Sequence, residues 1–481
     1  YIAMNYKTIF NIIGKVLLLE AALLLLPLGV SAAYSDGCTD DFLIGAAAAA
    51  ALGAVMFFPT RAVRKPLSVR DSLAAAALTW LFASLVGCLP FMTSGEISSF
   101  PDAFFETVSG FTTTGASILT DVEHMSRSLL FWRSFTHWLG GMGILVLVTA
   151  IAAGSGSGST NILKAEMPGH SLDKFTPKAK NNAKLLYGIY IALTLLETVL
   201  LIAGGMPVFD SVVHALGTAG TGGFGIKADS IASYSAYLQW VITVFMLLFG
   251  VSFNIYCLVL MRRWREVLRS NELRCYLGIF AAATVIVCIG IYPMYNSVSE
   301  VIRLSSFQTA SIITTTGYAT ADFNAWPQLA KAVLFILMFC GGCMGSTAGG
   351  LKISRVTVLA QVCANELRRS INPRAVNSVK LNGTVLTDEQ ERSVLSYLAL
   401  YLAVTVVTFI LVSIDGLGFE EDISAAVSCV NNIGPGFGLI GPAGSYAAYS
   451  GFAKIVLSVA MLIGRLEIYP LLALMMLGSR R

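Results

Sequence analysis

Ten long apolar runs, at residues 8–33, 41–58, 72–93, 129–153, 183–206, 236–261, 274–295, 327–363, 393–414 and 449–478, alternate with short polar segments along the chain. A helix needs roughly 20 apolar residues to cross a bilayer core, so this pattern predicts ten membrane spans. From the third run onward the spans fall into pairs. Each pair encloses a shorter amphipathic stretch with the length to enter only part of a bilayer: Pro101–Phe111, Pro207–Leu216, Ser299–Ile312 and Glu420–Val430. Proline at a first helical position and acids in a first turn mark where such half-helices begin.

A charge-free segment follows each half-helix. The four read Thr112-Thr113-Thr114-Gly115-Ala116-Ser117, Gly220-Thr221-Gly222-Gly223-Phe224-Gly225, Thr314-Thr315-Thr316-Gly317-Tyr318-Ala319 and Asn431-Asn432-Ile433-Gly434-Pro435-Gly436. With Gly115, Gly222, Gly317 and Gly434 as their central glycines, they recur roughly every 100 residues, an internal repeat of helix, half-helix, loop and helix. The predicted fold is an all-α polytopic membrane protein. Two accessory helices (1–70) precede four pseudo-symmetric pore repeats, at 71–180, 181–272, 273–392 and 393–481, around one axis.

Composition agrees. The chain has 481 residues, 56% of them apolar and 12% charged. Its nine cysteines have no paired spacing and sit mostly in apolar runs, as packing residues. Four histidines without ligand spacing argue against a metal site. The first run is too long, and followed too soon by another, for a cleaved signal peptide.

Basic residues set the expected orientation, because loops facing the cytoplasm carry the Lys/Arg excess. Arg61, Arg64, Lys65 and Arg70 follow span two, and Lys164, Lys174, Lys178, Lys180 and Lys184 follow span four. Arg262, Arg263, Arg265, Arg269 and Arg274 lie near span six. Arg368, Arg369, Arg374, Lys380 and Arg392 follow span eight, and the chain ends Arg480-Arg481. Alternate loops carry Asp36, Asp40, Asp41, Glu96, Asp102, Glu106, Asp121 and Glu123 instead. Both termini are therefore expected in the cytoplasm, with every glycine segment on the outer side.

Non-helical backbone at membrane depth is tolerated only where protein buries it or a wet cavity borders it. Carbonyl rings can replace the hydration shell of a monovalent cation, and glycine permits the angles that aim consecutive carbonyls inward. The expected ligands are the backbone carbonyls around Thr113, Thr114 and Gly115; Ala219, Gly220, Thr221 and Gly222; Thr315, Thr316 and Gly317; and Asn432, Ile433 and Gly434. The half-helices point their C-termini at these loops and add partial negative charge. Gly220, Gly222 and Gly225 also match a dinucleotide fingerprint. No βαβ unit surrounds them and no acid lies about 20 residues on, so the match is treated as chance.

These segments, with Thr-Thr-Gly-Tyr-Ala-Thr-Ala-Asp-Phe at 315–323 and Gly-Arg-Leu-Glu-Ile at 464–468, give the chain a resemblance to the Trk/Ktr/HKT superfamily of potassium transporters. It covers essentially the whole chain, and the extra N-terminal span pair favours the TrkH-type membrane subunits. The resemblance implies potassium preference, since glycine stands at the filter position of each repeat. It also implies a bacterial cytoplasmic-membrane location, a homodimer, and a cytoplasmic TrkA-type ring that binds the regulatory nucleotide. The longest cytoplasmic stretch, about 364–392, is too short to be a nucleotide domain of its own. Besides K⁺ in the pore, no bound cofactor is expected. The expected partners are the lipid bilayer and the basic loops' docking subunit or anionic headgroups, with no nucleic acid.

Span eight is too long for one crossing, and Gly341-Gly342-Cys343-Met344-Gly345-Ser346-Thr347-Ala348-Gly349-Gly350 interrupts it. Each glycine costs a helix about 1 kcal/mol relative to alanine, so a loop is expected there. By resemblance it is the family's intramembrane gating loop, with Gly341, Gly345, Ser346, Thr347, Gly349 and Gly350 as gate residues. Arg465 lies inside the last apolar run, where an arginine costs roughly 2.5–3.5 kcal/mol and seeks a cavity or partner. We expect it to reach the glycine loop and form an electrostatic barrier to cations; a structural pair with an acid of another helix is the alternative. Glu467 is a poor same-helix partner, because residues two apart face different ways.

Other polar residues carry less. Lys15 and Glu20 in the first span are expected to pair or snorkel. His137, beside Trp132, Arg133 and Trp138, suits a packing role better than a proton relay. Lys352 and Arg355 can pair with acids or snorkel, and Asp322 can attract cations or cap its loop. Ser346 has no histidine within its repeat, and no nucleophile, metal cluster or nucleotide motif survives, so no enzyme is expected. The alternative to a gated pore is a secondary symporter coupled to H⁺ or Na⁺, whose repeats are usually inverted and rock around a midplane site.

Overall fold

The structure is a computed structural model, described for residues 5–61, 68–143, 179–373 and 378–471. The ends of the fourth and tenth expected spans, Arg64, Lys65, Lys164, Lys174, Lys178, Arg374 and the terminal arginines lie outside the described residues, as does the Lys180 side chain.

Two N-terminal crossings come first: α1 (Tyr6–Leu23) with α2 (Leu25–Tyr34), then α3 (Thr39–Phe57). Gly14 and Gly53 let α1 and α3 cross backbone to backbone, since a Cβ on Gly14 would meet the backbone of Gly53 and Phe57. Small residues at such crossings are how membrane helices approach closely. The first repeat is α4 (Val69–Gly87), α5 (Leu89–Thr93), pore helix α6 (Phe100–Phe111) and α7 (Arg127–Gly141). The second is α8 (Ala179–Ala203), pore helix α9 (Val208–Gly220), α10 (Ala236–Phe249), α11 (Phe253–Leu260) and α12 (Trp264–Arg269). The third is α13 (Asn271–Ile291), pore helix α14 (Val298–Ile313), α15 (Gln328–Met338), α16 (Ile353–Ile371) and a hairpin, β1 (Lys380–Leu381) and β2 (Thr384–Val385). The fourth is α17 (Asp388–Val412), pore helix α18 (Phe419–Asn431) and α19 (Gly451–Arg465).

Polarity is distributed for lipid rather than water. Leu195, Val199, Ile289, Val407 and Ile410 face outward, while Ser305, Thr309, Ser424 and Ser428 of the pore helices are buried. Six described helices are long and apolar enough to span a bilayer. A seventh span results if α10 and α11 count together, but they meet at 90°. The expected continuous span at 236–261 is thus broken at Gly250, Val251 and Ser252. Further breaks fall between α15 and α16 and after Arg465, while α7 ends at Gly141, close to where the described residues of the first repeat stop. Among the described residues the second, third and fourth repeats thus interrupt their second helix, where one interruption was expected.

Asp36 ties the N-terminal pair to the first repeat. It accepts from Ser31 Oγ at 2.5 Å, Ser128 N at 2.9 Å and Cys38 N at 3.3 Å. Burial pushes its carboxyl up, but these donors outweigh burial and hold it below the ordinary 3.8. A lowered folded-state pKa contributes stability above pH 3.8 that is lost as the pH falls through the folded value. Asp36→Asn should lower the melting temperature by about 1–2 °C at neutral pH. Thermal unfolding in detergent should show that difference closing in acid.

Candidate functional site

The four pore helices end alike. In each, a residue in the left-handed conformation donates its N–H three residues back, and the next N–H reaches five residues back: Thr113 to Gly110 and Thr114 to Ser109; Thr221 to Thr218 and Gly222 to Gly217; Thr315 to Ile312 and Thr316 to Ser311; Asn432 to Cys429 and Ile433 to Ser428. This is the Schellman termination, with φ of 54°, 55°, 55° and 55° at Thr113, Thr221, Thr315 and Asn432. A β-branched residue at positive φ is an outlier, and three of the four are threonine. Side chains brace these turns. Thr112 and Thr114 hydroxyls meet at 2.8 Å, Thr314 and Thr316 hydroxyls at 2.7 Å, and Asn432 Nδ2 donates to Thr114 Oγ1 at 3.0 Å.

Two residues beyond each left-handed residue stands a glycine with φ of 77°, 79°, 85° or 102°: Gly115, Gly223, Gly317 and Gly434. These glycines close a ring. A Cβ on Gly115 would overlap the carbonyl oxygen of Gly222; on Gly223, that of Thr316; on Gly317, that of Ile433; on Gly434, that of Thr114. Each repeat's glycine thus seats against the residue preceding the glycine of the next. All four line one cavity.

The register of the second repeat differs from expectation. Gly223, not Gly222, matches Gly115, Gly317 and Gly434. Pore helix α9 runs on to Gly220 instead of ending at Leu216, so Ala219 and Gly220 lie inside the helix. Gly220 O moreover accepts Thr221 Oγ1 at 2.6 Å. The equivalent window in this repeat is Thr221–Gly223. Gly222 is glycine for another reason: a Cβ there would strike the His137 ring, which stacks on Phe224 at 4.2 Å. In the fourth repeat, Gly434 O is held by Tyr446 Oη at 2.8 Å.

Side chains lock adjacent repeats. Arg133 is buried against Glu106, with Nε to Oε1 at 2.8 Å, and its guanidinium lies 4.1 Å over the Phe224 ring. Glu106 also accepts Ser117 Oγ and Ile118 N just beyond the first turn. Tyr318 Oη donates to His214 O at 3.2 Å. Asn324 exchanges hydrogen bonds with Gly438 at 3.1 and 3.0 Å. Tyr446 N reaches Ser117 O at 2.8 Å, and Lys454 pairs with Asp102 at 2.5 Å. Sequence reasoning placed Glu106 among loop acids. Its place in the first half-helix, with Arg133 in the facing span, was the available signal for a pair.

Below the ring lies the loop between α15 and α16. Gly349 N donates to Thr315 Oγ1 at 2.7 Å. Cys343 N reaches Gly250 O at 2.9 Å and Phe253 N reaches Gly345 O at 2.9 Å, so the break in the second repeat and the loop satisfy each other's backbone. Arg465 reaches the loop, donating to Thr347 O at 2.7 Å, and to Gly140 O and Gly141 O at 2.6 and 2.8 Å. Gly345, Ser346, Gly349, Gly350 and Arg465 line one cavity. Gly341 packs against Gly349 and Gly350 where the loop closes on itself. Glu467 pairs with Arg355, while Lys352 Nζ donates to Ala348 O. Asp322 caps Asn324 N at 2.9 Å. Lys15 sits 6.0 Å from the Phe57 ring, and Glu20 is buried; the two do not pair.

The register is testable without any transport assay. Gly222→Ala should destabilise the protein by about 1–3 kcal/mol through overpacking, and His137→Ala in the same chain should recover most of that loss. Gly223→Ala meets backbone, so His137→Ala should recover none of it. Thermal unfolding of the three single and two double variants decides between the registers.

The chain is similar throughout its length to known transporters. It is 33% identical over 478 residues to the Trk system potassium uptake protein TrkH of Salmonella typhimurium, covering 98% of each chain. It is 34% identical over 481 residues to the protein of the same name from Vibrio parahaemolyticus, covering 98% of this chain and 99% of that one. The crystal structure of the potassium transporter TrkH from Vibrio parahaemolyticus superposes with a TM-score of 0.89 at 31% identity, over 99% of this chain and all of that one. The TrkH cation transport protein family matches residues 39–479. With four glycine turns closed on one axis and this match from end to end, the chain belongs to the TrkH family of cation transport proteins.

Proposed function

We propose that this protein carries potassium into a bacterial cell across the cytoplasmic membrane, through a gated pore. The observation that carries this reading is the closed ring of four backbone turns. No side chain can enter it at the glycines, so only peptide oxygens can replace the water of a permeating ion. The curated relatives are named for potassium uptake, and glycine at each ring position fits the potassium-preferring pattern. The carbonyls of Thr113–Gly115, Thr221–Gly223, Thr315–Gly317 and Asn432–Ile433 are the proposed ligands. Pore-helix C-termini facing the ring favour a cation.

In this reading both termini face the cytoplasm, and the loop at 341–350 is the gate. Arg465 sets a fixed positive charge beside the path and holds the loop by Thr347. The protein acts as a homodimer, and a separate TrkA-type subunit that binds nucleotides controls opening. The Arg and Lys clusters near α12, α16 and the hairpin are its docking surface.

The test is rescue of potassium-limited growth in an uptake-deficient bacterium, with Rb⁺ and Na⁺ flux measured in liposomes; failure of both sinks the reading. Gly115→Ser must push the Gly222 carbonyl aside and open the ring there, and it should admit sodium, seen as a fall in the Rb⁺/Na⁺ flux ratio of about tenfold. Arg465→Ala should raise flux severalfold at an unchanged ratio. Unchanged flux and regulation in that variant would remove Arg465 from the gate.

A further inference from the structure

One restraint on the intramembrane loop comes from outside the ring and its flanking cavities. Met344, at the loop's turn, donates its N–H to Glu272 Oε1 at 2.6 Å. Glu272 stands in the first turn of α13 and is 7% exposed. Its own N–H donates to Asn382 Oδ1 at 3.4 Å, and Ser270 Oγ donates to the same oxygen at 3.3 Å. Asn382 and Gly383 form the turn of the β1–β2 hairpin, with φ of 49° and 83°, the left-handed pair that a two-residue hairpin turn requires.

The hairpin's other end is tied to the helix that follows the loop. Gln361 of α16 donates to Lys380 O and accepts from Lys380 N, both at 3.0 Å. The hairpin therefore bridges α13, which precedes the third pore helix, and α16, which carries the loop's far end. Met344, Ser354 and Leu381 line the crevices on both its sides. An acid in a first turn suits the helix dipole wherever its side chain points. That alone does not explain a buried carboxylate aimed at a loop amide of another segment.

We propose that Glu272 is a positioning residue for the intramembrane loop, held in place by the hairpin through Asn382. This rests on reading the loop as the gate. The Met344 N–H must leave Glu272 Oε1 for the loop to move aside, which breaks a buried hydrogen bond. The hairpin is then a strut through which a displacement of α16 or α13 reaches the loop.

The full-length protein in liposomes tests this with two readouts. One is K⁺ flux. The other is labelling of Cys343, 1% exposed and next to Met344, by a water-soluble thiol reagent, quantified on the Cys343 peptide. Glu272→Ala should raise Cys343 labelling and K⁺ flux about tenfold, the factor that roughly 1.4 kcal/mol supplies, at an unchanged K⁺/Na⁺ ratio. Glu272→Gln keeps an oxygen acceptor and should stay within about twofold of the parent. Asn382→Ala should shift both readouts the same way by less, and Asn382→Asp should not. Unchanged labelling in Glu272→Ala overturns the proposal, as does an equal rise in Glu272→Gln. If the parent passes no K⁺ while Glu272→Ala still exposes Cys343, the transport reading fails and the positioning role stands.

Discussion

Contact between the glycine of one turn and the carbonyl of the next turn organises everything else here. Four such contacts run around the axis, each closer than any side chain would allow. The ring is built of main chain alone, and main chain at membrane depth must find partners or border water. That requirement reaches outward. The pore helices end in left-handed residues so that the chain can turn upward at once. Because three of those residues are threonines at positive φ, strain is held at the ring and has to be offset around it. The threonine hydroxyl pairs and Asn432 sit where that offset is needed. Behind them, Arg133 stacked over Phe224, Tyr318, Asn324 and Tyr446 fasten each repeat to the next.

The broken second helices follow from the same geometry. A continuous helix beside each turn would bring its side chains under the ring, whereas a glycine break lets the turn and the helix meet backbone to backbone. Gly140 fits against Phe111 O and Gly464 against Val430 O, at equivalent places in the first and fourth repeats. Breaking a helix leaves carbonyls unpaired, and Arg465 answers three of them, on Gly140, Gly141 and Thr347. A guanidinium presents five donors in a fixed fork, so one side chain reaches two repeats where a lysine would serve as a single point. The arginine inside an apolar run therefore has a backbone reason for being there, alongside any effect of its charge on ions.

Much of this was legible in the residues. Run lengths gave the span order, proline and first-turn acids gave the pore helices, and the glycines of span eight gave the loop. The second-repeat register was not legible. In Gly220-Thr221-Gly222-Gly223, each glycine answers a different neighbour: Gly220 the His137 carbonyl, Gly222 the His137 ring, and Gly223 the ring contact proper. Composition cannot rank glycines required by distant atoms. The break at Gly250 was equally silent, because one glycine in an apolar run reads as a tolerated helix residue. It becomes a break only through Cys343, almost a hundred residues away in the third repeat. Glu272 and Asn382 likewise carry no local sign of a shared task.

The ring also bears on how such a protein could move. Its four pore helices all present C-termini to one set of turns, so the repeats run in the same sense, not inverted as rocking transporters usually are. Rocking one repeat against another would part at least two glycine–carbonyl contacts, together with the buried pairs that clamp them. The loop between α15 and α16 is placed differently. Its ties are separate hydrogen bonds, to Thr315, Phe249, Gly250, Phe253, Glu272 and Arg465, and a cavity borders it at Gly345, Ser346, Gly349 and Gly350. Motion costs least where the bonds are few and water can replace them. In the gated-pore reading proposed above, these contacts suit a ring that stays closed and a loop that moves.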